Sequence, residues 1–247
     1  MRYLILSDIH ANATALDAAL AAADGRWDRV ACLGDLVGYG PDPNDVVERI
    51  RALDSAAIRG NHDRAGSGLA DAEDFNPIAR AAALWTRDQL RPENLAYLRD
   101  LPPGPVQVNG ISLIHGAARD EDEYVVAPGQ ALACLLETSS AVNFFGHTHL
   151  QGGFSFHDNR LEAIQPRPEP GASFSALRLE KDWRYLLNPG SVGQPRDGDP
   201  RAAFAISDLE HQVVEFWRVP YEIPAVQKRM VSAGLHDSLV HRLALGR

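Results

Sequence analysis

Metal-ligating side chains recur at one kind of place in this 247-residue chain: just after short apolar runs that read as strands. Asp8 and His10 follow residues 3–7, Asp35 follows 30–33, Asn61 with His62 follows 56–59, His115 follows 111–114, and His147 and His149 follow 142–145. In α/β sheets the carboxyl edge of the strands is where ligands bind, so clusters far apart in sequence are expected to converge there. Five of the nine histidines fall at such ends, while His157, His211, His236 and His241 do not. Carboxylate, amide oxygen and imidazole together suit manganese, iron, zinc or nickel rather than a metal that seeks soft thiolates. Asp8, His10, Asp35, Asn61, His115, His147 and His149 are too many ligands for one tetrahedral zinc. With one shared carboxylate they would serve two ions, a recurrent device for in-line displacement at phosphorus when the ions lie about 3.5–4 Å apart.

The elements that must position these residues alternate early in the chain. Residues 3–7, 30–33 and 56–59 read as strands, and 13–23 and 43–53 as helices with apolar residues on one face; Asn12 is a natural N-cap for the first. That rhythm implies parallel strands with crossover helices. Residues 65–100 read as an inserted helical cap, with helices over 74–90 and 92–98. Asn109-Gly110 between 106–108 and 111–114 is a strong hairpin signal. A helix over 128–136, a strand over 142–145, a turn at His157-Asp158-Asn159 and a hairpin of 202–207 with 213–219 follow; 165–170 is a proline-rich loop, and 224–245 reads as a closing helical segment. The expected fold is α/β, two mixed sheets with helices outside, and all of 1–247 forms a single domain.

Composition narrows the function. Hydrophobic residues at 45% and charged residues at 23% are ordinary for a globular chain, and the net charge of −9 disfavours long duplex nucleic acid as a partner. Cys32 and Cys134 show no ligand spacing and indicate buried thiols rather than a disulfide framework. No stretch approaches the ~20 apolar residues of a membrane span, and the apolar start meets Asp8 too soon for a signal peptide, so a cytoplasmic protein with no membrane partner is expected.

Asp8-x-His10, Gly34-Asp35, Gly60-Asn61-His62-Asp63, His115 and Gly146-His147-Thr148-His149, in this order, resemble the calcineurin-like metallophosphoesterase signature. Asn188-Pro189-Gly190-Ser191 resembles a further loop of its bacterial and archaeal-type phosphodiesterase branch, and the likeness extends to about Ile206. The resemblance implies a four-layer α/β/β/α sandwich and two divalent ions, manganese foremost, with iron, zinc or nickel compatible. Asp8, His10, Asp35 and His149 would hold one ion and Asp35, Asn61, His115 and His147 the other. His62 would be left for catalysis, and a hydroxide bridging the ions would attack phosphorus. A homodimer is compatible with the resemblance, although no heptad seam or apolar patch argues for one.

The departures point to substrate. Phosphoprotein phosphatases of this superfamily carry Asp-Arg after the Gly-Asp-x-x segment, and dinucleoside tetraphosphate hydrolases keep that arginine; here the positions are Gly38-Tyr39. A phosphodiester, with one charge fewer than a monoester dianion, needs the clamp less, so a small phosphodiester is the expected substrate. A phosphomonoesterase, a dinucleoside polyphosphate hydrolase, a nuclease and a non-catalytic module like the retromer subunit of this fold are the alternatives. Asn12, Tyr39 and Arg119 are candidate substrate contacts, with Asn12 also explained by capping; Arg64, Tyr124 and Arg196 sit in loops that could border the pocket. The acidic run 120–123 reads as a solvated loop.

Overall fold

The computed structural model describes residues 1–168 and 172–247, so the proline-rich loop expected over 165–170 lies partly outside the described residues. The chain opens with β1 (Arg2–Leu6), α1 (Ala13–Ala22), β2 (Arg29–Cys32), α2 (Pro43–Ala52) and β3 (Ala56–Ala57). Three helices follow, α3 (Asn61–Ser67), α4 (Pro77–Gln89) and α5 (Pro92–Asp100). Then come β4 (Val106–Val108), β5 (Ile111–Leu113), α6 (Pro128–Leu136), β6 (Val142–Phe144), β7 (Gly152–His157), β8 (Arg160–Ile164), β9 (Phe174–Arg178) and β10 (Arg184–Asn188). The chain closes with β11 (Ala202–Asp208), β12 (Val213–Val219), α7 (Ile223–Ser232) and α8 (Asp237–Leu243). No described helix is long and apolar enough to cross a membrane.

Two six-stranded mixed sheets result, ordered β3-β2-β1-β11-β12-β9 and β4-β5-β6-β10-β7-β8. Strands β1, β2 and β3 run parallel, as do β5, β6 and β10; the outer strands join them antiparallel. The period of two in strand side chains builds the layers. From β1, Tyr3 and Ile5 enter the core between the sheets, where they meet Phe144, Leu187 and Phe216. Leu4 and Leu6 point the other way, to the core under α1 and α2 with Leu16, Val47 and Phe204. Strand β10 repeats the pattern: Tyr185 and Leu187 face the inter-sheet core, and Leu186 faces Cys134 and Leu135 of α6. These are the four layers α/β/β/α expected from the resemblance.

Several boundaries differ from expectation, each for a local reason. Helix α4 begins at Pro77 rather than at residue 74, because Asn76 caps it by accepting the amides of Ile78 and Ala79. The strand expected over 56–59 narrows to two residues, and Asn61 then starts α3. The closing segment is two helices rather than one: α7 ends at Ser232, and the His236 side chain caps α8 by accepting the amide of Ser238. Both helices pack on the same chain, where Val226, Met230, Leu239 and Leu243 form one cluster with Tyr39 and with Ala79 and Ala82 of α4. Cys32 and Cys134 are buried free thiols.

Phe204 of β11 is fully buried under the helices. Its replacement in Phe204→Ala is expected to cost about 3–5 kcal/mol of stability in denaturant unfolding, by lost transfer energy and a residual cavity.

Candidate metal centre

All the parallel strands that carry the expected ligands end at the same edge, and the chain bends sharply there. Asp8, His10, Asp35, His147 and His149 each adopt a left-handed backbone, with φ between 49° and 65°. Such conformations cost about 1–3 kcal/mol each in residues other than glycine and persist only where the surroundings enforce them. Here backbone bonds do so: the amides of Asp8 and His10 donate to the carbonyls of Gly34 and Asp35, and the amide of Gly193 to that of Asp8. The Asn188-Pro189-Gly190-Ser191 loop adds a clamp. Ser191 Oγ donates to the Asp8 carbonyl at 2.7 Å, and Asn188 Nδ2 donates to the Gly146 carbonyl and Thr148 Oγ1, each at 3.0 Å. One loop thus holds the ends of β1 and β6 from different sheets.

The bends bring two groups of buried ligands together. Asp8, His10, Asp35 and His149 present ligand atoms within 4.8 Å of one another, as do Asp35, His115 and His147, so Asp35 belongs to both. Asn61 joins the second group, its Oδ1 lying 3.2 Å from His115 Nε2. Asp35 Oδ1 accepts the His62 amide at 2.8 Å. Asp35 Oδ2 is buried without a hydrogen-bond partner, 3.6 Å from His10 Nε2 and 3.5 Å from His115 Nε2.

Four imidazoles are oriented by backbone carbonyls, which can only accept. His10 Nδ1 donates to Val37, His115 Nδ1 to Leu33 and His149 Nδ1 to Gln194, at 3.0, 2.8 and 2.6 Å; His147 uses Nε2 instead, on the Asp122 carbonyl at 3.1 Å. The tautomers of the neutral rings His10, His147 and His149 are thereby set, and the ring of His115 is oriented, as partners of this kind do for ligating histidines. Burial drives His10 and His149 well below the ordinary histidine range, so both are neutral, and their Nε2 atoms face each other 3.0 Å apart. Two lone pairs at that distance repel unless a cation sits beside them. With the unpartnered Asp35 oxygen, this makes the donor set fit divalent ions.

Burial likewise pushes His62 down to about 4 and His147 to about 3, and pushes Asp8 up to about 7. For His115 burial is the largest effect and acts downward, but the Asp35 and Asp8 carboxylates and the Leu33 carbonyl together outweigh it and hold the ring up to about 10. Asp35 is itself held well below the carboxylate range, its burial overcome by the charges of His115 and His62.

A cleft of ≈ 380 Å³ opens beside the second group, walled by Tyr39, His62, Phe75, Tyr124 and His147. His62 packs between Tyr39 and Phe75, ring centroids 4.2 and 4.8 Å away, and its Nδ1 is buried without a partner. Gly38 is the reason the ring fits: at φ +89°, a Cβ there would stand 2.4 Å from His62 Nδ1. The glycine at 38 is therefore a steric matter, since His62 occupies the space that a side chain there would need; at 39 a tyrosine ring stands instead of an arginine.

The remaining candidates divide. Tyr39 borders the cleft, as does Tyr124, which stacks on His147 at 4.0 Å. Asn12 does not reach the substrate space: its Oδ1 accepts the Ala15 amide and its Nδ2 donates to the Gly193 carbonyl, so capping accounts for it. Arg119 is exposed and pairs with Glu137 at 2.6 Å, away from the residues that wall the cleft. The acidic run 120–123 is not merely a solvated loop: Glu121 pairs with Arg59 and Arg64, and Asp122 pairs with Arg64. Asp63 was not among the candidates, yet it is fully buried and accepts the amides of Gly60 and Val37 at 3.0 and 3.1 Å. Its place three residues beyond Gly60, at the start of a helix, is the signal that could have marked it.

The family model for the calcineurin-like phosphoesterase superfamily domain matches residues 1–212. The chain belongs to this superfamily. An uncharacterized protein of Methanocaldococcus jannaschii is 32% identical over 98% of this chain and 97% of its own. A solved metallophosphoesterase from Sphaerobacter thermophilus is 39% identical, with a TM-score of 0.85 over 100% of this chain and 99% of that one. A hypothetical protein of Pyrococcus horikoshii shares the fold at 22% identity, with a TM-score of 0.78 over 100% and 98%. These relatives extend the likeness beyond residue 206, where the sequence motifs ended, to include the two C-terminal helices of this phosphoesterase.

Without metal, the centre predicts a stability maximum. Between about pH 4 and 6.5, the four histidines held neutral outnumber Asp8 and Asp63, both pushed up to about 7, so the unfolded chain binds more protons and stability falls as pH falls. Above 6.5 the folded His115 keeps a proton that the unfolded chain loses, and stability falls as pH rises. Chelator-treated protein should melt highest near neutral pH. A melting temperature that climbs steadily into the alkaline range would contradict this charge assignment.

Proposed function

We propose that this protein hydrolyses a small phosphodiester with two divalent ions, manganese foremost. The observation that carries the reading is the pair of facing, neutral His10 and His149 nitrogens beside a shared Asp35 whose Oδ2 lacks a partner. Asp8, His10, Asp35 and His149 would hold one ion, and Asp35, Asn61, His115 and His147 the other. When bound, such ions supply a water of lowered pKa as nucleophile and neutralise charge on the phosphoryl oxygens.

The chain's own groups do the rest. His62 lines the cleft beside Asn61 and His147. Its Nδ1 is buried without a partner, so a neutral ring carrying its proton on Nε2 would leave no buried N–H unsatisfied and would have that N–H to offer in the cleft. Burial holds its pKa to about 4, so at neutral pH it acts as a fixed hydrogen-bond donor to charge developing at phosphorus, rather than as an imidazolium acid. Asp35 Oδ1 fixes the backbone that carries it. Tyr39, Phe75 and Tyr124 give the otherwise polar cleft apolar surface that suits an ester with an organic group on each side.

The diester preference rests on charge. Gly38-Tyr39 supplies no arginine to the scissile phosphate, and Arg64, which also borders the cleft, is neutralised by Glu121 and Asp122. Among the described residues that wall the cleft, Arg64 is thus the one arginine and is already paired, and a diester monoanion needs such a contact at the scissile phosphate less than a monoester dianion does. We take residues 1–247 as one unit, with 65–100 as its cap, and the buried free thiols of Cys32 and Cys134 support a reducing, cytoplasmic setting.

Purified protein with added manganese should turn over bis-(p-nitrophenyl) phosphate faster than p-nitrophenyl phosphate and lose both activities to a chelator; monoester preference would replace this reading with a phosphatase. His62→Ala should lower kcat by about 10²–10³, as loss of one transition-state donor does, with bound metal retained. Asp35→Asn should lose metal as well as activity by elemental analysis. Full turnover in His62→Ala would remove that residue from the chemistry.

A further inference from the structure

Most buried or half-buried arginines of this protein face a carboxylate: Arg59 and Arg64 meet Glu121, Arg201 meets Asp199, and Arg218 meets Asp197. Arg87 and Arg184 donate to backbone carbonyls instead, and Arg196 and Arg242 differ from both groups in converging on one another. Among the described residues neither has a carboxylate partner, and each donates one side-chain hydrogen bond to the same neutral atom, Oε1 of buried Gln194, at 3.3 and 2.6 Å. The Nε of each is buried with no partner at all. Two cations sharing one neutral acceptor repel one another, and burial together with Arg196 pulls Arg242 below the ordinary arginine range. An arrangement that costs stability in the free protein is explained by an anion that arrives later.

The pair lies beside the metal centre. Tyr39 touches both: its ring centroid is 4.2 Å from that of His62 and 4.8 Å from that of His10, while the Cζ atoms of Arg242 and Arg196 stand 4.5 and 5.9 Å from the same ring. The loop is tied to the centre as well, since the Gln194 carbonyl receives His149 Nδ1 and the Arg196 amide donates to the His149 carbonyl. Arg242 is delivered by α8, whose Leu239 and Leu243 are buried against Tyr39 and α7. The guanidiniums are thus placed by packed elements rather than by a free loop.

We propose that Arg196 and Arg242, bridged by Gln194 against Tyr39, form an anion subsite for a second phosphate group of the substrate, which makes that substrate a phosphodiester bearing a further phosphate. The proposal rests on the phosphoesterase reading for the word substrate, but the subsite itself is a matter of binding. Forked guanidinium donors suit phosphate oxygens, and two of them match a dianion.

Calorimetric titration of the manganese-loaded protein with adenosine 3',5'-bisphosphate and with adenosine 5'-monophosphate tests it. Arg196→Gln and Arg242→Gln should each weaken the bisphosphate by about tenfold, the scale of one charge-assisted hydrogen bond, and the monophosphate by less than about twofold. Arg242→Lys should recover part of the loss. An unchanged bisphosphate affinity, or equal loss for both ligands, would overturn the subsite. Should Arg242→Gln fail to fold, Arg196→Gln in the loop carries the same comparison. Selective loss of the bisphosphate without any turnover of bis-(p-nitrophenyl) phosphate would keep the subsite and remove the hydrolase reading; chelator-sensitive turnover with no selective loss would do the reverse.

Discussion

The structure depends on one electrostatic constraint: Asp8 and Asp35 must sit side by side in a dry pocket together with five imidazoles. Burial raises the cost of every charge there, and the two carboxylates repel. The fold meets this with His115, which stays protonated against Asp35, with the Ser7 hydroxyl on Asp8 Oδ2 at 2.6 Å, and with the His147 amide on both Asp8 oxygens at 3.1 Å. Those contacts still leave Asp35 Oδ2 without a partner and two histidine lone pairs in opposition. Divalent ions would relieve both, which is why the donor set fits them.

That constraint accounts for the backbone around it. A ligand at a strand terminus can reach a common centre only if the chain turns at once, and the five left-handed residues are that turn. Strain of this kind survives because neighbouring strands and the 188–191 loop hold each bend from outside. Gly60 belongs to the same economy of space, since a Cβ there would lie 2.2 Å from Asp35 Oδ1 and 2.6 Å from His115 Cε1. Rigid sheets on both sides then keep the ligands in place, as precise sites require.

A second consequence concerns the far end of the chain. Helices α7 and α8 close over Tyr39 and α4, so the last residues of the chain form part of the wall behind the centre. They bring Arg242 to Gln194 and Arg196, while position 39 itself carries an aromatic ring where related phosphatases carry arginine. Positive charge is therefore present near the centre, supplied by the loop after β10 and by α8 rather than by position 39.

Much of this was legible in the amino-acid order. Alternating strand and helix periods over residues 3–59 indicated the parallel part of the first sheet, and Asn109-Gly110 marked the hairpin, because such features depend on neighbours in sequence; the parallel pairing of β5, β6 and β10 after that hairpin was not legible there. The metal-ligating residues stood out for the same reason, as polar side chains placed directly after apolar runs. What tertiary structure alone decided was the choice of partners between distant segments: Asn12 Nδ2 on Gly193, Arg119 turned to Glu137, and the 120–123 acids drawn onto Arg59 and Arg64. The division of the closing segment into two helices and the meeting of Arg196 with Arg242 belong there too. Local propensity and periodicity are written within a few residues, whereas the partner of a long polar side chain is chosen by whatever packing brings within about 3 Å.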